Sequence, residues 1–197
     1  MNRNIAVIGT AFDENHKSRL NAADESCGCT IAYYPDNDSA IPFMQDVHIA
    51  FAPSDGRSPD LVKAAPKLQW FASYYAGVDP LIKTQVLSPD TVLTNGSGAY
   101  GVTIAEHMVM VTLMMLRRYP EYYDFVQTKQ FRSDLMIGSI YDATIVICGT
   151  GDIGSNFAKR LRAFCPAKII GVNRSGKCPA EFDEVVKIED IETVLPQ

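Results

Sequence analysis

The feature that most constrains the fold is a glycine-rich turn that directly follows an apolar segment. Residues 144–148 form a mostly β-branched run, which is typical of a strand buried on both faces. Gly149-Thr150-Gly151-Asp152-Ile153-Gly154 follows at once, a helix is predicted at 156–164, and a second apolar strand is predicted at 168–172. A GxGxxG sequence alone is a weak signal, but here it lies in a βαβ unit of about thirty residues, the context that a dinucleotide-binding turn requires.

Each glycine of this turn has a predicted role. Gly149 permits the tight turn, Gly151 lets the backbone approach a pyrophosphate, and Gly154 lets the helix pack closely on the strand. The N–H groups of Asp152 and Ile153 would then face the phosphates at the positive end of the helix. The turn therefore predicts a dinucleotide site, and a glycine turn that serves packing alone is the alternative.

The end of the second strand, about twenty residues further on, predicts which dinucleotide is bound. NAD sites usually carry Asp or Glu there to hold the ribose 2′-hydroxyl, whereas NADP sites accept arginine. This chain has Asn173-Arg174-Ser175-Gly176-Lys177, without a carboxylate. Arg174 can contact a 2′-phosphate through two N–H groups and Lys177 as a point charge. NADP(H) is therefore predicted over NAD, with a solvated basic loop as the alternative.

Short apolar runs alternate with helical patterns before this region, which is the rhythm of a parallel α/β sheet. Five strands are predicted, at 5–8, 30–34, 47–52, 68–72 and 92–94. One helix is expected to have Ser58 as its N-cap and Pro59 as its first residue. Asn95-Gly96-Ser97-Gly98 then marks a break. We expect an α/β fold with a flavodoxin-like substrate domain over 1–97 and the N-terminal half of a Rossmann domain over 98–197.

A helix predicted at 102–116 is apolar around its whole circumference. A surface helix shows one apolar stripe, so this helix is expected to be buried on all sides, between domains or between subunits. A homodimer interface is favoured, and a core within the chain is the alternative. A second, amphipathic helix is predicted at 120–131.

Composition excludes several classes of protein. The 197 residues are 47% hydrophobic and 21% charged, which is typical of a globular protein. A net charge of −5 argues against nucleic-acid binding. No apolar run reaches the ~18 residues of a membrane span, and no signal-peptide pattern precedes the first strand. Five scattered cysteines and three histidines predict neither a disulfide framework nor a metal site, and favour a reducing cytoplasm.

Several stretches together have the order and spacing of a known family. They are Leu68-Gln69-Trp70-Phe71-Ala72-Ser73, Ala76-Gly77-Val78-Asp79, Thr94-Asn95-Gly96-Ser97-Gly98, Ile104-Ala105-Glu106-His107, the glycine turn, and Ile170-Gly171-Val172-Asn173-Arg174-Ser175. On these residues the chain resembles the D-isomer-specific 2-hydroxyacid dehydrogenases, and most closely their glyoxylate/hydroxypyruvate reductase-like branch. The similarity covers about residues 45–197 and is looser before that.

The resemblance implies a two-domain enzyme that reduces small 2-oxo acids to D-2-hydroxy acids by hydride transfer. It implies that backbone amides of Ala76-Gly77 receive the substrate carboxylate and that Asp152-Ile153 contact the pyrophosphate. The loop of Arg174, Ser175 and Lys177 would meet the 2′-phosphate of NADPH. The helix at 102–116 matches a family helix that is buried at a dimer interface.

The family's catalytic arginine, histidine and acidic partner match no position in these 197 residues. His107 follows Glu106, but neighbouring helix positions point about 100° apart, so the two do not form a dyad. His16 is predicted on an exposed helix and His48 in a strand. We therefore name no catalytic residue.

Three interpretations follow. The chain is expected to be the N-terminal portion of an NADP(H)-dependent 2-hydroxyacid dehydrogenase, inactive alone. The alternatives are a naturally short protein that binds a dinucleotide or a partner without catalysis, and an inactive remnant. The first is favoured because the apolar run at 168–172 is expected at an exposed sheet edge and lacks the polar residues that protect such edges.

Overall fold

Two parallel sheets form the framework of the chain, one in each of its two units, Met1–Ser97 and Gly98–Gln197. The computed structural model describes residues 3–9 and 12–195, without the side chains of 23–26. The predicted parallel α/β class is confirmed in both units.

The first unit has five strands in the order β2-β1-β3-β4-β5, which is the flavodoxin-like order. All four neighbouring pairs are parallel. The strands are β1 (Arg3–Ile8), β2 (Cys29–Tyr34), β3 (Ile49–Ala52), β4 (Trp70–Ser73) and β5 (Val92–Thr94). The helices are α1 (Glu14–Cys27), α2 (Asn37–Ala40), α3 (Ser58–Lys63) and α4 (Asp79–Thr84), with a 3-10 helix at Ile41–Asp46.

The two faces of this first sheet differ in how they are covered. Alternate strand residues point to opposite faces, and one set packs into the core with side chains from α3 and the 3-10 helix. That core includes Ala6, Ile8, Met44, Ala50, Ala52, Leu61, Phe71 and Leu81. The opposite set lines a largely apolar cavity of about 460 Å³, together with side chains near the start of α1. The first sheet is therefore packed on one face and open on part of the other.

Two local predictions for this unit were wrong. Arg57, rather than Ser58, is the N-cap of α3. The Ser58 hydroxyl is buried and accepts the Asp55 N–H at 2.8 Å while it donates to the Pro53 carbonyl at 2.8 Å, so it stabilises the turn before the helix. The stretch after β2, for which the sequence predicts no helix, folds into α2 and the 3-10 helix. Asp36 caps α2 by accepting the Ser39 N–H at 2.8 Å.

The second unit has three parallel strands in the order β6-β7-β8. This is the order of the first three strands of a Rossmann sheet. The strands are β6 (Thr144–Cys148), β7 (Lys168–Asn173) and β8 (Glu184–Lys187). The helices are α5 (Gly101–Leu116), α6 (Tyr119–Gln127) and α7 (Asp152–Leu161), with 3-10 helices at Arg162–Phe164 and Ile188–Thr193. Its core includes Ala105, Ile140, Ile147, Phe157, Leu161, Ile169 and Phe182.

Three predictions for this unit need correction. α7 begins at Asp152, inside the glycine turn, because Gly151 acts as its N-cap. α6 ends at Gln127, and Lys129 beyond it has a left-handed φ of 52°. The run at 168–172 does not lie at a sheet edge, because β7 pairs with β6 on one side and β8 on the other. Residues 168–172 therefore give no reason to favour an incomplete chain over a naturally short one.

Helix α5 is buried on one face and exposed on the other. Ala105 is fully buried, and Met108, Val109, Leu113 and Leu116 pack against the same core. On the other face, Val102 is 50% exposed and Met115 is 70% exposed. Burial on all sides is therefore wrong for the chain by itself.

Among the described residues, no helix is long and apolar enough to cross a membrane.

Candidate functional site

The glycine turn begins where β6 ends, at the carboxyl edge of the second sheet. Gly149 has φ +99°, a conformation that L-residues rarely adopt, and its N–H bonds to the Val172 carbonyl at 2.8 Å. A Cβ on Gly154 would overlap the carbonyl oxygen of Gly149, so no larger residue fits there. These two glycines bring the start of α7 onto the end of β6.

The N-terminus of α7 lacks a side-chain cap because its N-cap is Gly151. The first N–H groups of a helix have no partner within the helix, and here Asp152 and Ile153 supply two of them. A Cβ on Gly149 or Gly151 would meet no heavy atom within 4 Å, so the space beside the turn is open. Uncapped N–H groups that face open space at a helix N-terminus form a binding place for an anion.

The loop after β7 is built around Asn173. Its amide nitrogen donates to the Thr150 hydroxyl at 2.7 Å and to the Lys177 carbonyl at 2.8 Å, and its amide oxygen accepts the Gly176 N–H at 2.7 Å. The Ser175 hydroxyl accepts the Lys177 N–H at 3.3 Å. Asn173 therefore holds the loop in shape and ties it to the glycine turn, so its side chain is already engaged with protein groups.

The basic side chains of this loop have no ion-pair partner among the residues that the structure describes. Arg174 and Lys177 are exposed, and neither forms an ion pair with any residue that the structure describes. Because no carboxylate neutralises them, both charges are available to an anionic ligand.

A third cation at this loop was missed by the sequence reasoning. Lys187, the last residue of β8, pairs in register with Asn173. Its Cγ and Cε lie 3.6 Å from the position that a Cβ would take on Gly176, so its stem packs along the loop. In the sequence, Lys187 follows two valines that are typical of a strand. Because β8 was not predicted, nothing placed this lysine beside the loop after β7.

The second predicted binding segment lies in the first unit, directly after β4. The Ser73 hydroxyl accepts the Tyr75 N–H at 3.0 Å, the Gly96 N–H bonds to the Tyr75 carbonyl at 3.0 Å, and the Asn95 amide donates to the Ala76 carbonyl at 2.7 Å. Ala76 and Gly77 are exposed, and within the described part of the chain their N–H groups have no acceptor. The loop thus has anchored carbonyls and unpaired amides.

None of the three histidines belongs to the glycine turn, to the loop after β7 or to the segment after β4. His16, on α1, pairs with Asp13 at 2.7 Å. His48 Nδ1 accepts the Asn4 N–H at 3.2 Å. His107 is exposed on α5, and its neighbour Glu106 turns to Arg160 of α7 at 3.6 Å. Of the three, His16 both pairs with a carboxylate and lines the largely apolar cavity of the first unit, and its side chain is 54% exposed.

Comparisons with known proteins agree with this geometry. Residues 109–197 match the model for the NAD-binding domain of D-isomer-specific 2-hydroxyacid dehydrogenases. Over 152 residues the chain is 28% identical to glyoxylate reductase of Thermococcus litoralis, covering 73% of this chain and 46% of that one. It is 33% identical over 104 residues to the D-specific alpha-keto acid dehydrogenase of Enterococcus faecalis, covering 50% of this chain and 32% of that one.

The solved structures extend the match across nearly the whole chain. A D-isomer-specific 2-hydroxyacid dehydrogenase family protein of Aeromonas salmonicida superposes with a TM-score of 0.82 at 29% identity, covering 97% of this chain and 60% of that one. Structures below 25% identity share the fold, and one is a complex with NADP and another a complex with NAD. The chain spans less than half the length of the curated relatives named above.

The parallel sheet with its GxGxxG turn defines the second unit as a Rossmann-like dinucleotide-binding unit. Together with the model matched over residues 109–197 and the similarity to the Aeromonas structure, it supports the D-isomer-specific 2-hydroxyacid dehydrogenase family for this chain. The family that the motifs indicated is therefore supported, and the branch within it stays a prediction.

Proposed function

We propose that this chain is part of an NADP(H)-dependent oxidoreductase that interconverts small 2-oxo acids and D-2-hydroxy acids by hydride transfer. The observation that carries the proposal is the pairing of an open, uncapped glycine turn with a basic loop that has no carboxylate. The turn supplies N–H groups for a pyrophosphate, and the loop supplies positive charge for a third phosphate.

The preference for NADP(H) rests on three cations around one loop. Within the described part of the chain, the side chains of Arg174 and Lys177 form no ion pair, and the stem of Lys187 packs beside Gly176. An adenosine 2′-phosphate carries close to two negative charges, and guanidinium and ammonium groups bind phosphate with charge-assisted hydrogen bonds. Asn173 and Ser175 serve this site by fixing the loop. NAD, which lacks that phosphate, would gain nothing from the three cations.

For the substrate, we propose that the amides of Ala76 and Gly77 bind the carboxylate of the 2-oxo acid. The Ala76 carbonyl accepts the Asn95 side-chain amide, and the Tyr75 carbonyl accepts the Gly96 N–H. These bonds hold the backbone, and with it the two amides, in place before a ligand binds. Two backbone N–H groups fixed in this way bind a carboxylate without ordering a side chain. The small exposed residues leave room for a small acid.

The 197 residues alone are proposed to lack the proton donor for the carbonyl oxygen. Such a donor is usually a histidine with a pKa near neutrality, oriented by a carboxylate beside the substrate. His16 pairs with Asp13, but that carboxylate caps α1 and both side chains are more than half exposed. His48 accepts a backbone N–H. His107 stands beside a glutamate that pairs with an arginine. We therefore expect cofactor binding without turnover from this chain.

We also propose that the exposed face of α5 forms a homodimer interface. Its outward side chains include Val102, Ile104, Met110 and Met115, and each is more than a third exposed. A patch of this kind on a helix is stabilised when a second copy covers it. Sedimentation velocity at micromolar concentrations is expected to show a dimer, and a monomer would contradict this part of the proposal.

The test of the cofactor proposal is titration of the 197-residue chain with NADPH and with NADH by calorimetry. We expect weak binding that favours NADPH, and no reduction of glyoxylate or hydroxypyruvate. Arg174→Asp should weaken NADPH by roughly tenfold or more, the range of one lost charge-assisted contact, and leave NADH within about twofold.

Lys129→Asp is the matched control, because it makes the same charge change at an exposed position of the same unit. It should leave both affinities as they are. If neither dinucleotide binds, the proposed function is wrong. If Arg174→Asp leaves the NADPH to NADH ratio unchanged, the cofactor preference is wrong, and measurable turnover would refute the missing proton donor.

A further inference from the structure

An acidic residue occupies the first turn of the helix that is proposed to bind the pyrophosphate. Asp152 is the first residue of α7, directly after its N-cap. A carboxylate near a helix N-terminus is stabilised by the helix dipole. It therefore competes with a phosphate for the same N–H groups, and it repels the phosphate as well. The direction in which this side chain turns decides whether the turn is open to an anion.

The Asp152 carboxylate turns toward α5. It lies beside Gly101, the first residue of that helix, so closely that a Cβ there would sit 2.5 Å from the carboxylate carbon and overlap both oxygens. Gly101 is buried, and Tyr100, the N-cap of α5, makes no side-chain capping bond. The carboxylate is thus placed at the positive end of a second helix dipole, in a space that exists because residue 101 has no side chain.

Hydrogen bonds along α7 hold the carboxylate in this direction. The Asn156 amide donates to Asp152 Oδ1 at 2.9 Å and to the Asp152 carbonyl at 3.0 Å. Arg160 donates to Asn156 Oδ1 at 3.2 Å and pairs with Glu106 of α5 at 3.6 Å. Residues four apart lie on one face of a helix, so Asp152, Asn156 and Arg160 form a row that faces α5 and ends on its glutamate.

We propose that Gly101 and Asp152 form a positioning pair that keeps the glycine turn open to phosphate. Gly101 provides the space, Asn156 fixes the carboxylate in it, and the backbone N–H of Asp152 remains available to the ligand. The inference rests on the proposed dinucleotide site and adds one feature to it. The carboxylate in the first turn of α7 is held against α5, away from the N–H groups that would bind phosphate. Both residues act through position, and neither needs to touch the reacting atoms.

The test is a double-substitution cycle on the 197-residue chain, read as the dissociation constants of NADPH and NADH. Gly101→Ala pushes the carboxylate out of its space, so both cofactors should bind roughly tenfold more weakly, which is the size of one unfavourable charge contact. Asp152→Ala keeps the backbone N–H and removes the charge, so binding should tighten by up to about threefold. In Gly101→Ala/Asp152→Ala the added methyl meets no carboxylate, and affinity should return to that of Asp152→Ala.

Gly56→Ala is the matched control, because a Cβ there meets no heavy atom within 4 Å and its φ is not left-handed. It should change neither affinity. If the unsubstituted chain binds dinucleotide and Gly101→Ala binds as well as it does, the inference is overturned while the proposed function stands. Loss of binding in Gly101→Ala that Asp152→Ala does not rescue also overturns it, because a purely structural defect does not depend on the charge. If the unsubstituted chain binds neither cofactor, both the proposed function and the inference fall.

Discussion

The two units have the same backbone geometry at the turn after their first strand, but they differ in what surrounds that turn. In each, the first strand ends in a glycine with positive φ, +130° at Gly9 and +99° at Gly149. In each, that glycine's N–H bonds to the carbonyl at the end of the neighbouring strand, Tyr34 at 2.9 Å and Val172 at 2.8 Å. A helix follows both glycines. The differences lie in what fills the space beside the glycine and what caps the helix.

In the first unit this place is already occupied by protein atoms. The Tyr74 hydroxyl lies 2.5 Å from the position that a Cβ would take on Gly9. The Asp13 carboxylate accepts the His16 N–H at 2.8 Å and so caps α1 with the protein's own anion. In the second unit the N-cap Gly151 has no side chain to bond the first N–H groups of α7, and no described heavy atom lies within 4 Å of the position of a Cβ on Gly149. A glycine after a strand therefore predicts a turn, and an anion site requires open space and an uncapped helix as well.

The largest expected effect comes from closing the second turn. Gly154→Ala places a methyl group on the Gly149 carbonyl oxygen, which is backbone and cannot rotate away. We expect a loss of about 3 kcal/mol in the free energy of unfolding, the upper range for overpacking a tight site, together with loss of dinucleotide binding. Urea denaturation and calorimetry measure the two effects.

Gly56→Ala, at an open position of the first unit, serves as the control and should unfold like the unsubstituted chain. Equal stability of Gly154→Ala and the control would contradict the close packing of α7 on β6.

A smaller effect is expected from the first turn. Gly9→Ala puts an L-residue at φ +130° and against the Tyr74 hydroxyl. We expect a loss of about 2 kcal/mol, because residues forced into sparsely populated backbone regions cost ~1–3 kcal/mol. Dinucleotide binding should not change, because the proposed site lies in the other unit.

The variant Gly9→Ala/Tyr74→Phe separates the two causes. The double variant lacks the hydroxyl contact and keeps the strained φ at residue 9. Gly9→Ala should therefore reduce the free energy of unfolding less in the Tyr74→Phe protein than in the unsubstituted protein. An identical penalty in both backgrounds would show that the tyrosine does not fill this space.

The smallest effect concerns the cap of α1 and its pH dependence. The His16 N–H, as the largest cause, lowers the pKa of Asp13 below its usual 3.8. A carboxyl whose folded pKa is depressed stabilises the fold above its ordinary pKa, and this stabilisation is lost as pH falls through the folded pKa. We expect the His16 amide to exchange its hydrogen several-fold faster in Asp13→Ala near neutral pH, as seen by NMR.

The unsubstituted chain should lose protection at His16 only in acid, below the ordinary pKa of Asp13, whereas Asp13→Ala should show little further change there. The amide of Ser155, which bonds within uncapped α7 at 2.9 Å, is the internal reference. Equal exchange of His16 in the two proteins at neutral pH would mean that Asp13 does not cap α1.

Much of the framework was predictable because it depends on local patterns. The strands at β1, β2, β5, β6 and β7 were placed to within one or two residues, since continuous apolar runs bounded by turn residues define buried parallel strands. The helix start at Asp152 was predicted four residues late, because the glycines of the turn were assigned to a loop. α2 was missed since its cap, Asp36, stands in a run that also reads as a turn.

The candidate site was predictable in its backbone and less so in its side chains. The glycine turn and the loop at Arg174 could be located from sequence because their chemistry needs particular residues at a fixed spacing after a strand. Lys187 joins that loop through the pairing of β7 with β8, and Gly101 meets Asp152 through the packing of α5 on α7. Neither contact follows from spacing along the chain.

The sequence by itself determined that this protein is a parallel α/β chain with a glycine turn suited to a dinucleotide, and its motifs resemble those of the D-isomer-specific 2-hydroxyacid dehydrogenases. Hydrophobic periodicity and glycine placement fix these features within about thirty residues at a time. The tertiary structure decided which of two similar glycine turns is open, which face of α5 stays exposed, and where the charge of Asp152 is held. These outcomes depend on side chains brought together from distant elements, since space and charge at a site are set by everything that packs around it.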